Sequence, residues 1–155
     1  MSRRLIKATP SAATSEGRMI LMRWILILLA LVGITSSALA LREHYRTDTS
    51  PCSINERWDC GIVNHSPYSM LAGIPVAVIG IAGYLLLAAF AFKRAYRLML
   101  VPVLAALAFS LYLARIEQHV LGVWCIYCVI SLGVISLLTL LVLAKVLVSS
   151  LTQSR

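Results

Sequence analysis

Four long apolar runs, 20–41, 71–92, 98–116 and 124–144, alternate with charged segments along the chain. A helix rising 1.5 Å per residue needs about 20 residues to cross roughly 30 Å of hydrocarbon, and each run is near that length. The pattern predicts an all-α integral membrane four-helix bundle with both termini on one side. Two of the three connections are short, but the polar segment 42–70 exceeds the roughly 2–8 residues usual between bundle helices, and long loops commonly carry function. Within it Ser53-Ile54-Asn55-Glu56 fits a capping box, and Trp58 and Ile62 follow Ile54 at i+4 and i+8. That spacing predicts a short amphipathic helix on the membrane surface, with Cys52 just before it and Cys60 near its end.

Composition agrees with this architecture and excludes a soluble domain. The chain is 60% hydrophobic and 13% charged, against about 25% charged residues in soluble proteins. The net charge of +8 would suit a nucleic-acid partner in a soluble protein, but the positions of the charges explain it without one. Arg3, Arg4, Lys7, Arg18 and Arg23 cluster at the start of the chain, Lys93, Arg94 and Arg97 between the second and third runs, and Lys145 and Arg155 after the fourth. The segment 42–70 balances Arg42, Arg46 and Arg57 with Glu43, Asp48, Glu56 and Asp59. The positive-inside rule then places both termini in the cytoplasm and 42–70 on the outer face. The expected layout is a basic cytoplasmic tail over 1–19, disordered through residue 18, a membrane domain over 20–145 and a cytoplasmic tail over 146–155. Ala38-Leu39-Ala40 after Ser36 and Ser37 resembles the end of a signal peptide, but the apolar run exceeds the roughly 7–15 residues of a signal core, so the first span is read as retained.

Gly73, Ala77, Gly80 and Gly83 recur at helical spacings in the second run, which favours close backbone approach between membrane helices. Pro75 and Pro102 are placed in the first turns of their helices, where a missing N–H is tolerated. No polar pair sits mid-span, which disfavours a channel or proton-coupled transporter. The chemistry is instead concentrated in four cysteines, all on the predicted outer, oxidising side: Cys52 and Cys60 in the loop, and Cys125 and Cys128 as a C-x-x-C at the start of the fourth span. Thiols three residues apart share one helix face, and ordinary helical spacing leaves their Cβ atoms about 5–6 Å apart where a disulfide wants roughly 3.5–4.5 Å. A pair that must tighten to close suits redox turnover, and thiol exchange through a mixed disulfide makes a mobile loop pair above a fixed pair a workable relay. Two structural disulfides in a non-enzymatic tetraspan protein are the competing reading. A zinc site is disfavoured because C-x7-C with C-x-x-C departs from the usual ligand spacings. His44, His65 and His119 stand singly near membrane boundaries as interfacial or hydrogen-bonding residues. Trp58, Tyr68, Trp124 and Tyr127 fit an aromatic belt, and Arg115 and Glu117 at the end of the third span can pair or snorkel and need no catalytic role.

Taken together, Cys52, Cys60, Ser66-Pro67-Tyr68-Ser69, Gly73-Ile74-Pro75, Ser110-Leu111-Tyr112-Leu113-Ala114 and Cys125-x-x-Cys128 resemble the vitamin K epoxide reductase family, especially its prokaryotic branch, over residues 24–144. The resemblance implies a four-helix bundle that couples thiol oxidation to reduction of a quinone, whether menaquinone, ubiquinone or vitamin K, with no metal. It implies that Cys128 faces the quinone, Cys125 exchanges with Cys60, and Cys52 exchanges with a thioredoxin-like protein. Ser66 resembles the family's loop serine lining the quinone pocket. Trp124 is a further candidate for stacking on the ring, and His65, beside Ser66, is a candidate for proton delivery. Many prokaryotic members carry a fused thioredoxin-like domain that this sequence lacks, so a separate partner on the outer side is expected. Animal members have a tyrosine four residues beyond the second cysteine of the C-x-x-C, where this chain has Leu132, which puts epoxide reduction in doubt. The prokaryote-like motif favours a bacterial plasma membrane over the endoplasmic reticulum.

Overall fold

A computed structural model describes residues 10–153, with side chains from Glu16 onward; the tail residues Arg3, Arg4 and Lys7, and Arg155, lie outside the described residues. The fold is an all-α bundle. Helix α1 spans Pro10–His44, α3 Val76–Phe92, α4 Tyr96–Ile116 and α5 Ile126–Gln153, while the short α2, Cys60–His65, lies in the first loop. Three segments, Glu16–His44, Tyr96–Leu121 and Ile126–Gln153, are long and apolar enough to cross a membrane, and α3 is a shorter apolar helix.

The departures from expectation have local causes. Residues 10–18, expected to be disordered, form the first turns of α1, where proline at the first helical position is favourable because its absent N–H would have lacked a partner. The second apolar run loses its first residues to a hairpin, β1 Met70–Leu71 against β2 Ile74–Pro75, paired Met70 to Pro75 and Leu71 to Ile74. Its turn residues Ala72 and Gly73 have φ of 50° and 82°, the left-handed pair of a tight hairpin turn. Gly73 therefore serves the turn and not a helix face, and Pro75 precedes α3 instead of lying in its first turn. Pro102 lies inside α4, because that helix starts at Tyr96. At the other end α5 runs on to Gln153, with the hydroxyls of Ser149 and Ser150 donating to Val146 O and that of Thr152 to Val148 O.

The loop helix is also displaced. Asn55 Oδ1 accepts from the backbone N–H groups of Arg57 and Trp58 at 2.9 and 3.2 Å, a side-chain turn that competes with a helix over 53–58. Asp59 is the working cap, its Oδ1 accepting from Ile62 N at 2.9 Å. Cys60 consequently opens the helix instead of closing it.

Around the bundle α1 neighbours α3 and α5, and α4 lies between α3 and α5. Leu26, Ala91, Met99, Val103, Leu138 and Val142 form a close-packed core at the end where α3 turns into α4. The outward faces carry exposed apolar side chains such as Leu28, Val101 and Leu140. Close approach is real where it occurs: a Cβ on Gly33 would collide with the Tyr84 ring, and one on Gly80 would lie 2.8 Å from Ser37 Oγ. Around Gly83 the space is open.

Candidate functional site

The opposite end of the bundle gathers the cysteines. Asp59 N donates to Trp124 O at 3.1 Å, and Trp124 N donates to Arg57 O at 2.8 Å, so the first loop is pinned by backbone bonds to the segment entering α5. The asparagine turn and the Asp59 cap then start α2 at a fixed place, which puts Cys60 beside Cys125. Both are 0% exposed and share an apolar cluster with Cys52, Val63 and Val123. Cys52 and Cys60 are joined by a disulfide with a Cα–Cα distance of 5.4 Å, while Cys125 and Cys128 are thiols.

Asn64, one turn after Cys60, ties the two pairs together. Its buried Nδ2 donates to Cys60 O at 2.8 Å and reaches Cys125 Sγ at 3.6 Å. The hydrogen bond from Cys128, helped by the Asn64 amide, holds the Cys125 thiol below the ordinary cysteine range, although burial and the nearby Glu117 charge oppose the shift. Glu117 neither pairs with Arg115 nor reaches the surface. It begins a five-residue π-helical turn, Glu117–Leu121, ended by Gly122 at φ 68°, and its side chain is only 3% exposed. Its Oε2 accepts from Cys125 N at 3.0 Å, and it lines the same cavity as Cys128. Glu117 continues the face of α4 that brings Ala106, Ser110 and Leu113 to the cavity, while Arg115, Gln118, His119 and Val120 are outward.

Below the cysteines lies a cavity of about 370 Å³ between the helices, with mostly apolar walls that include Gly83, Ala106, Phe109 and Leu132. Cys128, Glu117, Ser66, His44 and Trp124 also line it. Ser66 is buried and its Oγ donates to Val63 O at 2.7 Å. His65 is not on the cavity wall: its exposed ring places Nδ1 2.8 Å from Gly61 O and Nε2 3.1 Å from Arg46 O. The histidine at the cavity is His44, whose Nδ1 lies 2.6 Å from Asn64 O. Among the described residues, no group of three or more His, Cys, Asp and Glu side chains could hold a metal ion.

Sequence reasoning thus selected the cysteines, Ser66 and Trp124 but passed over Asn64, His44 and Glu117. Only Glu117 had a usable signal, because a carboxylate at the edge of an apolar span is a functional-site hypothesis by default. No curated protein matches the chain. The model of the vitamin K epoxide reductase family matches residues 24–143, and with most of its length covered, this chain belongs to that family.

Proposed function

We propose that the protein is a thiol oxidoreductase that oxidises a separate thioredoxin-like partner and passes the electrons to a quinone. One observation carries this reading: Cys60 and Cys125 are buried together directly above a cavity that Cys128 lines. A partner dithiol would enter at Cys52 and reduce the loop pair. Cys52 is 4% exposed, so docking has to uncover it. The Cys60 thiolate would then attack Cys125, and release of the mixed disulfide would leave Cys125 and Cys128 reduced.

The cavity residues fit a quinone ring. The volume falls in the roughly 300–1,000 Å³ range of small-molecule sites, and apolar walls with a few polar groups are what such sites use. Cys128 would stand at the reacting face, with Ser66, His44 and Trp124 around it. Ser66 gives its proton to Val63 O, so orienting a ring carbonyl requires that hydroxyl to rotate. The quinone, when bound, supplies the two-electron, two-proton acceptor chemistry. The protein's share is positioning and exclusion of water. The reading also orients the chain: Lys93, Arg94 and Arg97 lie at the end of the bundle opposite the cysteines, which supports cytoplasmic termini and cysteines on the outer face of a bacterial plasma membrane.

The test is anaerobic. Detergent-purified protein is reduced, freed of reductant and mixed with a soluble ubiquinone or menaquinone analogue, and quinol is followed by ultraviolet absorbance alongside thiol loss. Rapid quinol formation, abolished in Cys128→Ser, is the expected result. No quinol with either analogue would overturn the quinone assignment and favour cysteines that only brace the outer loop.

A further inference from the structure

Glu117 is a buried carboxylate with no assigned role, and its surroundings are unusual for a structural residue. Among the described residues it makes no ion pair, and burying an unpaired carboxylate is costly. The bond it makes to Cys125 N needs only a carbonyl-type oxygen, which glutamine would supply without a charge. What glutamine could not do is exchange a proton with the Cys128 thiol that lines the same cavity as the carboxylate. Glu117 continues the face of α4 that carries Ala106, Ser110 and Leu113 to the cavity, while Arg115, Gln118, His119 and Val120 stay outward, and the π-helical turn that begins at Glu117 is of a kind frequent at functional sites.

We propose that Glu117 is the proton-exchanging group of the Cys125–Cys128 pair, giving a proton to Cys128 in one half of the redox cycle and taking it back in the other. This rests on the thiol-to-quinone reading above. In the first half the Cys60 thiolate attacks Cys125 Sγ. The Cys60–Cys125 bond forms, the Cys125–Cys128 bond breaks, and Cys128 leaves with the electron pair and receives the proton of the Glu117 carboxyl. Cys52 then attacks Cys60, restoring the loop disulfide and freeing Cys125. In the second half the Cys125–Cys128 bond forms again, two electrons leave to the acceptor, and the Cys128 proton returns to Glu117. Cys60 and Cys52 release their two protons to water before they attack, the reduced acceptor takes two protons from water to leave as quinol, and Glu117 ends as it began.

The ionisable groups around the carboxylate leave it this role. Cys125 and Cys128 face it from the start of α5. Across the cavity His44 from α1 is engaged with Asn64 O, and Tyr84 from α3 with Ser131. From α2, Cys60 is in the disulfide and the His65 ring meets backbone carbonyls. Arg115, on its own helix, is exposed.

The test is Glu117→Gln, which keeps an acceptor for Cys125 N but carries no exchangeable acid. Single-turnover quinol formation is expected to fall about 100-fold, the scale of positioned acid–base catalysis. With no quinone present, the pH midpoint for alkylation of the reduced inner pair is expected to drop by about one unit, because a negative neighbour has been removed. An unchanged midpoint with turnover within twofold of the parent would overturn the assignment while leaving the quinone reading intact. A shifted midpoint in a protein that makes no quinol would do the reverse. Should the variant fail to fold, infrared difference spectra of the unaltered protein decide: reduction of the inner pair should abolish a carboxylic acid band and create a carboxylate one, and no such change would overturn the proposal.

Discussion

The two ends of the bundle use the same four helices in opposite ways. Near the α3–α4 turn, Leu26 and Ala91 pack with Met99, Val103, Leu138 and Val142, all but closed to solvent and without a polar side chain among them. Toward the loop the helices stop filling the space between them. Gly80, Gly83, Ala105 and Ala106 leave a cavity, and the buried groups are polar: Ser36, Ser37, Asn64, Ser66 and Glu117. Lipid is as apolar as leucine, so van der Waals contact has to hold membrane helices together. The closed end supplies that contact, and the open end gives it up for a chamber with hydrogen-bonded walls. Stability and chemistry should therefore separate along the bundle axis.

Leu138→Ala tests the separation with the largest expected effect on stability. Leu138 is fully buried and is not on the cavity wall. Truncation should cost about 2–5 kcal/mol, as for other buried leucines left with a void. Unfolding in detergent should shift accordingly, while quinol formation by the folded fraction stays close to the parent value. A large loss of turnover per folded molecule would show that the closed end tunes the site.

Much of this division could be read in advance, and the failures share a cause. Hydrophobic runs reveal spans because a membrane helix must be apolar for about 20 residues whatever it packs against. The C-x-x-C and the loop cysteines are legible because their spacing is local. Local polar competition was not legible. Asn55 and Asp59 each capture backbone N–H groups, and a capping-box match at Ser53 cannot outweigh an asparagine turn two residues later. The inward aim of Glu117 follows the helical spacing of Ala106, Ser110 and Leu113, but nothing in an apolar run marks that face as a cavity wall. Adjacency to Ser66 favoured His65 over His44 in sequence, whereas tertiary bonds to Arg46 O and Asn64 O respectively leave His65 off the cavity and His44 on its wall.

A matched pair of glycine substitutions sharpens the contrast at intermediate size. Gly33 of α1 lies against the Tyr84 ring with no room for a Cβ, whereas a Cβ at Gly83 meets nothing within 4 Å. Gly33→Ala must push the ring or the helix aside, an overpacking cost of about 1–3 kcal/mol. Gly83→Ala should fold as well as the parent or slightly better, since alanine is the better helix former by about 0.8–1 kcal/mol. Its effect should appear instead as a raised KM for the quinone analogue, because the new methyl group stands in the chamber. Equal destabilisation of both variants would mean that the cavity closes in the membrane.

The smallest effect is expected at Tyr84, where the two regions meet. The side chain is 5% exposed, packs with the closed core and also borders the cavity. Its hydroxyl bonds Ser131 O at 2.9 Å and Ser131 Oγ at 2.8 Å, joining α3 to α5 across the bundle. Two bonds from one hydroxyl look substantial, but interhelical hydrogen bonds in membranes average only about 0.6 kcal/mol, because the unfolded helices also find partners in the bilayer. Ser131 O is the helix's own carbonyl, and the Ser131 hydroxyl can turn back to a carbonyl within α5 as Ser136 does. Tyr84→Phe should therefore lower stability by about 0.6 kcal/mol, with the ring still seated against Gly33. Its quinol turnover should match the parent's if the hydroxyl only ties helices together. A drop in turnover without loss of stability would place Tyr84 on the chemical side of the boundary.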